Sequence, residues 1–399
     1  YYTDAIADHA IQFIEESPDD KPFFLYMPFT AAHWPLHAPD EDVAKYKGRY
    51  DGGWDKLREE RYQRMIELGS IKPEWPLSPR DPEAPAWEDA DNKEWRARRM
   101  EVYAAQVTIM DAAIGRVVSK LKDLGKYENT LVLFLIDNGG CAEELRPGAT
   151  AFHIPMETLD GRPVNRGNDP NDMPGQPDDY QSYGLEWANA SNTPFRYYKH
   201  WVHEGGISTP LIAHWPAGVT APGTWTDEPS HIIDIMATCA DLGQAEYPAQ
   251  HNGNAITPLE GKTLAPLFEG EPRPSHDAIY WEHEGNRAIR QGKWKLVSKW
   301  RPPENNRWEL YDIDADRSEM RDLAVDLPER VEEMGAKWED VTVLESPLDP
   351  AKFGIQGSGG SMSVPRNFDA MRRLGASARE MLIGAAALLM EVEREDLEA

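Results

Sequence analysis

Cysteine is scarce in this chain of 399 residues, which has only Cys141 and Cys239. Two cysteines cannot build a disulfide framework, and neither sits in a zinc-finger or Cys-x-x-Cys spacing. Positive charge is short as well: 42 Lys and Arg face 69 Asp and Glu, a formal charge of −27. That sign opposes sustained contact with nucleic acid or an anionic membrane surface, so neither is expected as a partner. The longest membrane-like run, Met381 to Met390, is too short to cross a bilayer. The chain opens Tyr1-Tyr2-Thr3, without an initiator Met or a charged n-region. No signal peptide is visible, the start reads as a cut, and the compartment stays open between cytoplasm and periplasm or secretion. No internal repeat is evident.

What is present is globular in character, with 40% hydrophobic and 28% charged residues. Thr3 or Asp4 can cap a first helix with an apolar stripe of Ile6, Ala10, Phe13 and Ile14, stopped by Pro18. Phe23 to Met27 is a short apolar run of the kind buried in a parallel sheet. Glu41 to Ala90, polar and rich in Pro and Trp, reads as a surface excursion. Asp91 with Glu94 forms a capping box for a long helix. Its core face is expected to be Tyr103, Val107, Met110, Ile114, Val117, Leu121 and Leu124. Thr130 to Ile136 is the strongest strand, and a long helix feeding a fully apolar strand argues for an α/β sheet covered on both faces. Gly148 to Thr193 reads as loop, Thr209 to Trp215 as a strand and Ser230–Leu242 as a helix. Ala278 to Trp300, with Trp308 to Tyr311, predicts a small antiparallel sheet turning near Glu284-Gly285-Asn286. Beyond Trp338 follow a Gly/Ser loop and an Ala-, Leu- and Met-rich helix.

In open α/β sheets, binding residues gather at the carboxyl ends of strands. The Thr130–Ile136 strand ends in Asp137-Asn138-Gly139-Gly140. A carboxylate beside a carboxamide presents hard oxygen ligands, and the glycines would let the backbone turn sharply around an ion; a plain turn without ligand is the alternative. Phe23–Met27 runs into a loop where His33, between Trp34 and two prolines, has little freedom, as suits a positioned proton donor. Spacing alone does not separate His33 from His37. His200 and His203 do not form His-Glu-x-x-His and stand before a Gly pair, which excludes a zinc protease. Asn168 to Asp179 lacks the alternation of an EF-hand loop and reads as solvated.

Taken in order, Ala31 to Pro39, Leu135 to Gly139, Lys199 with Glu204-Gly205-Gly206, His231 to Asp234, Gly261 to Leu267 and Gly292 to Leu296 resemble the sulfatase family of the alkaline phosphatase superfamily, most closely its bacterial arylsulfatases. The likeness runs from Tyr1 to about Asp340. It implies an α/β fold in which helices cover a mostly parallel central sheet, incomplete at the N-terminus, with a small antiparallel C-terminal subdomain. It also implies hydrolysis of a small-molecule sulfate ester at a Ca²⁺ site by a formylglycine made in a Cys-x-Pro-x-Arg motif. Asp137 and Asn138 fall on two Ca²⁺ ligands, His33 on the histidine by the leaving oxygen, and Lys199 on the lysine that contacts sulfate. Asp-Asn suits Ca²⁺, whereas phosphodiesterase and phosphonate monoester hydrolase relatives use Asp-His with softer metals. Neither cysteine fits the nucleophile motif: Cys141 precedes Ala-Glu-Glu-Leu and Cys239 precedes Ala-Asp-Leu-Gly. The formylglycine, two amino-terminal Asp ligands and central strands are expected in a segment before Tyr1, so this chain alone should hold Ca²⁺ weakly and expose apolar sheet faces.

The resulting expectation is a catalytic domain over 1–270, an antiparallel subdomain over 271–340 and an unrelated tail over 341–399. The tail, with Phe353 to Val364 and Leu374 to Leu382, is similar to a short stretch of the molybdenum hydroxylase large subunit; no function is carried over. Two rivals to a sulfatase stay open, a phosphodiesterase or phosphonate monoester hydrolase and a non-catalytic remnant. Substrate identity and oligomeric state are not legible.

Overall fold

In the computed structural model, which describes residues 1–18, 21–150, 154–251, 253–300 and 307–342, the main elements follow in chain order. They are α1 (Tyr2–Glu16), α2 (Gly53–Glu67), α3 (Lys93–Asp123), β1 (Val132–Leu135), β2 (Asn165–Arg166), β3 (Asp179–Tyr180), α4 (Gly184–Ser191), β4 (Leu211–His214), α5 (Ile233–Leu242), β5 (Ile279–His283), β6 (Asn286–Gln291), β7 (Trp294–Ser298), β8 (Trp308–Asp312) and α6 (Pro328–Glu339). Tyr1–Thr150 and Met156–Val341 form one compact unit. The Gly/Ser loop and apolar helix expected in the tail lie outside the described residues.

Small side chains let α1 and α3 approach closely. Ala7, Ala10 and Ile14 meet Ala113, Val117 and Leu121 in one apolar cluster. The buried stripe of α3 is therefore Val102, Ala105, Ile109, Ala113, Val117 and Leu121, whereas Val107 and Leu124 are exposed. Of the expected stripe Val117 and Leu121 are buried; large apolar residues drew the rest of the periodicity, but alanines sit where the helices touch. On α1, likewise, Phe13 is exposed and Ala7 takes the core position. The capping box is also absent. Asn92, left-handed at φ 47°, precedes the helix without a side-chain cap, because the Asp91 carboxylate is engaged 2.8 Å from Arg96 Nη2.

The strand expected at Phe23–Met27 does not form a ladder among the described residues. Its period-2 pattern still operates: Phe23, Leu25, Met27 and Phe29 pack on the α1–α3 cluster, while Phe24 and Tyr26 point outward, 77% and 76% exposed. Nor do the described residues show the mostly parallel central sheet. β1 pairs antiparallel with β4, Val132 opposite His214 and Leu135 opposite Leu211. Among the described residues, parallel pairing is confined to the short β2–β3 ladder and the His37–Gly175 bridge. Leu135, Ile136, Leu211 and Ile212 are exposed.

Two segments read as surface excursion or loop also send side chains into the core. The 41–90 region delivers Trp54, Trp75 and Trp87 to the interior, where Trp54 and Trp87 meet Trp187 of α4. A loop-rich segment can be buried this way because each indole N–H finds a backbone carbonyl. Trp54 donates to Pro85 O at 3.0 Å, Trp75 to Asp314 O at 3.1 Å and Trp187 to Arg96 O at 2.8 Å. The 148–193 region contains α4 and the β2–β3 ladder rather than loop alone. The stretch from Asn168 to Asp179 is not solvated at its ends: both residues are buried, and Asn168 exchanges hydrogen bonds with Ser182.

The antiparallel C-terminal sheet is present, ordered β8-β7-β6-β5. Its β5–β6 turn places Glu284 at φ 52° and Gly285 at φ 81°, the left-handed pair a two-residue hairpin needs. One face packs Ala288, Val297 and Tyr311 against Val202. The other packs Ile289, Leu296 and Leu310 against Met334 of α6.

Candidate active site

Two backbones approach too closely here for any side chain between them. After β1 the chain passes through Asp137-Asn138-Gly139-Gly140, and Gly139 N donates to Gly206 O at 3.0 Å. A Cβ on Gly139 would lie 1.8 Å from Gly205 O, and one on Gly206 would lie 1.9 Å from Trp201 O. Neither Gly139 nor Gly140 has positive φ. These glycines thus serve close approach between two loops, which corrects the expected sharp turn around an ion. Lys199 N donates to Gly140 O at 3.1 Å, so the same contact fixes where the lysine emerges. Asn192 fastens the junction: Gly140 N donates to its Oδ1 at 2.9 Å, and its Nδ2 donates to Tyr197 O at 2.8 Å and Gly205 O at 2.7 Å. Sequence reasoning missed Asn192, since a lone Asn after a helix carries no local signal. Gly139→Ala should cost about 1–3 kcal/mol by overpacking; a thermal midpoint equal to that of the wild type would show that the loops have room.

The third arm is the loop after Phe29. His33 N donates to Thr30 O at 3.0 Å, and its Nδ1–H donates to Trp34 O at 2.9 Å. A carbonyl only accepts, so this bond leaves Nε2 as the ring's acceptor. Nε2 lies 3.3 Å from Lys199 Nζ. The ring's pKa is lowered by burial first and then by the Lys199 charge, against the Trp34 carbonyl and the carboxylates of Glu143 and Asp137. His37 instead turns its Nε2 to Asp179 O at 2.6 Å, and His203 is buried against Glu309. Tertiary structure thus separates His33 from the other two.

Glu143 ties the site together and was not singled out from sequence. Its Oε1 lies 3.4 Å from Lys199 Nζ and 3.2 Å from His200 Nε2. Its Oε2 accepts the Trp34 indole N–H at 2.8 Å. Burial opposes its ionisation, but the Lys199 ammonium and the hydrogen bonds from Cys141, His200 and Trp34 outweigh that and bring it to about 2. Cys141 Sγ accepts a longer bond from the same indole at 3.3 Å. Burial and the Glu143 carboxylate push that thiol up to about 11, so it is no thiolate nucleophile. His200 Nδ1 reaches Glu284 Oε2 at 3.0 Å, which brings the β5–β6 turn to the rim.

Asp137 is exposed and Asn138 half-buried beside this cluster. Asn138 N donates to Asp137 Oδ1 at 3.0 Å, and Asn138 Nδ2 to Gly139 O at 2.8 Å. Among the described residues, Asp137 belongs to no group of three His, Cys, Asp or Glu donors within 4.8 Å. The pair offers the oxygen atoms a hard cation takes, but two residues fall short of the six to eight oxygens Ca²⁺ prefers.

Three loops thus bring a lysine, a histidine and an acid–amide pair together. The Sulfatase family profile matches residues 1–245, and that of the C-terminal part of N-sulphoglucosamine sulphohydrolase matches 195–340. The chain belongs to the sulfatase family. It is 34% identical over 349 residues to an uncharacterised sulfatase of Schizosaccharomyces pombe, covering 85% of this chain and 61% of that protein. It is 30% identical to an arylsulfatase of Klebsiella aerogenes, covering 68% of this chain and 57% of that protein. The chain thus spans a little over half the length of these relatives. The solved structure of Ps i-CgsB with k-i-k-neocarrahexaose shares its fold at a TM-score of 0.53 and 24% identity, covering 85% of this chain and 54% of that one. Among the described residues, no helix is long and apolar enough to cross a membrane.

Proposed function

We propose that this chain carries the leaving-group and sulfuryl-binding half of a sulfate monoester hydrolase. The observation that carries the reading is the meeting of Lys199 with His33 at 3.3 Å on a loop bonded to the Asp137–Gly140 segment. Lys199 supplies the cation that neutralises charge on the sulfuryl oxygens as the S–O bond breaks. His33, neutral and with Nε2 unprotonated, accepts from the ammonium and holds it toward the ester. The transferable proton therefore sits on Lys199 Nζ and leaves with the alcohol oxygen. This refines the expectation that His33 itself donates, because its one ring proton is engaged by the Trp34 carbonyl. Asp137 and Asn138 would contribute two oxygens toward Ca²⁺, which, when bound, supplies positive charge to polarise the sulfate. The nucleophile, a formylglycine in the sulfatase reading, does not come from Cys141 or Cys239, whose flanking residues lack the motif.

Turnover of an aryl sulfate and of an aryl phosphodiester by the protein isolated from its source tests this reading. Faster cleavage of the sulfate is expected, and it should fall when a calcium chelator is added. Preference for the phosphodiester would favour the phosphonate monoester hydrolase reading, and loss of both activities in an otherwise folded protein would favour a binding remnant.

A further inference from the structure

An imidazole, a thiol and a carboxylate, a donor set softer overall than the all-oxygen Asp137–Asn138 pair, cluster beside the Lys199 ammonium. The ligating atoms of His33, Cys141 and Glu143 all lie within 4.8 Å of one another. We infer that His33 Nε2, Cys141 Sγ and Glu143 Oε1 bind one borderline-soft divalent cation of the zinc class, in competition with Lys199 for the same position. The inference concerns these side chains only and stands whether or not the chain hydrolyses sulfate esters.

The donor set of one imidazole, one thiolate and one carboxylate, with a fourth position open to water, is of the kind Zn²⁺ accepts. Its orienting bonds are already in place: Trp34 reaches all three residues, and His200 Nε2 lies 3.2 Å from Glu143 Oε1. The Trp34 carbonyl takes the His33 Nδ1 proton at 2.9 Å, which turns the Nε2 lone pair inward, as metal-bound histidines require. The Trp34 indole holds Cys141 Sγ at 3.3 Å and Glu143 Oε2 at 2.8 Å, which leaves Oε1 facing the cation. That a cation belongs there is shown by Lys199 Nζ, 3.3 Å from His33 Nε2 and 3.4 Å from Glu143 Oε1. Tetrahedral ligands of Zn²⁺ stand about 3.5 Å apart, so a contraction of roughly an ångström suffices. Lys199 is on a long, flexible stem with 22% of its side chain exposed, and can withdraw to solvent.

Binding is a proton exchange without redox change: the thiol S–H bond breaks, an S–metal bond forms, and the proton passes to solvent. The bound ion removes Lys199 from the position proposed for sulfuryl binding, so it acts as an inhibitor there.

The test is titration of the full chain with Co²⁺, read by absorption and followed by Zn²⁺ competition. One equivalent of Co²⁺ should produce a thiolate-to-cobalt charge-transfer band that Zn²⁺ abolishes. Cys141→Ser should remove the band. His283→Ala, which breaks the separate surface group of His200, His283 and Glu284, should leave it intact. Lys199→Met, by deleting the competing ammonium, should tighten Co²⁺ binding about tenfold. Should Cys141→Ser fail to fold by circular dichroism, His33→Ala, which retains the thiol, must weaken binding at least about tenfold. Absence of the band at saturating Co²⁺, its persistence in folded Cys141→Ser (which would assign it to Cys239), or unchanged or weaker binding in Lys199→Met would each overturn the inference.

Discussion

Lys295→Met should destabilise the folded chain by about 3–5 kcal/mol, the cost of removing one partner from a buried ion cluster. Lys295 is the second residue of β7 and has no exposed surface. Its Nζ is 2.8 Å from Glu204 Oε1 and 2.9 Å from Glu319 Oε1. Arg317 Nε adds a contact to Glu204 Oε2 at 3.1 Å, and Glu204 N donates to Glu319 Oε2 at 2.9 Å. Two blocks of the family resemblance, Glu204-Gly205-Gly206 and Gly292 to Leu296, are thus the two sides of one contact, and the C-terminal sheet fastens the loop that presents Lys199. Burial opposes ionisation of Glu204, but Lys295 and Arg317 hold its carboxyl well below the usual carboxylate range. A depressed folded pKa contributes stability above the unfolded value, about 4.3, that is lost as pH falls below it. Without Lys295 the carboxylates are buried with too little positive charge, and protonation then relieves them. The deficit of the variant should therefore be largest at neutral pH and shrink below about pH 4. Denaturant unfolding at pH 7 and about pH 3 measures both; a deficit under about 1 kcal/mol at pH 7, or one independent of pH, would contradict the cluster's role.

Lys199→Ala should lower kcat for an aryl sulfate by about 10²–10³, the loss that follows removal of one preorganised charge or donor at a developing anion. Its ammonium is held by His33 and Glu143, so little further ordering is needed when a sulfuryl group arrives. The effect should fall mainly on kcat rather than KM, because the interaction strengthens as negative charge develops. His33→Ala should lose less, since the lysine remains. Near wild-type turnover in folded Lys199→Ala would remove the lysine from the reaction and, with it, the proton route proposed above.

Much of the secondary structure was legible because it depends on local periodicity. The α3 helix, the strand Val132–Leu135, helix α5 and the C-terminal hairpins all follow from spacing and turn residues. His33, Lys199 and the Asp137–Asn138 pair were found as candidates because strand-end position and motif order survive in one dimension. The face α3 buries was not legible: Ala105 and Ala113 carry little hydrophobic signal, yet close helix contact selects them. Phe23 to Met27 shows the reverse case. Its pattern is that of a strand, but a ladder requires a partner, and pairing is not a local property.

Composition and pattern settled the helices, the turns and the kind of chemistry the strand ends offer, because each depends on neighbours within a few positions. Folding settled the rest. Glu143 as the centre of the site, Asn192 as its clasp, the glycines as a backbone-to-backbone contact and Lys295 as the counter-ion of Glu204 all arise between residues far apart in the chain. Distance and burial decide the charge state and reach of those groups, and neither quantity exists until the loops have met.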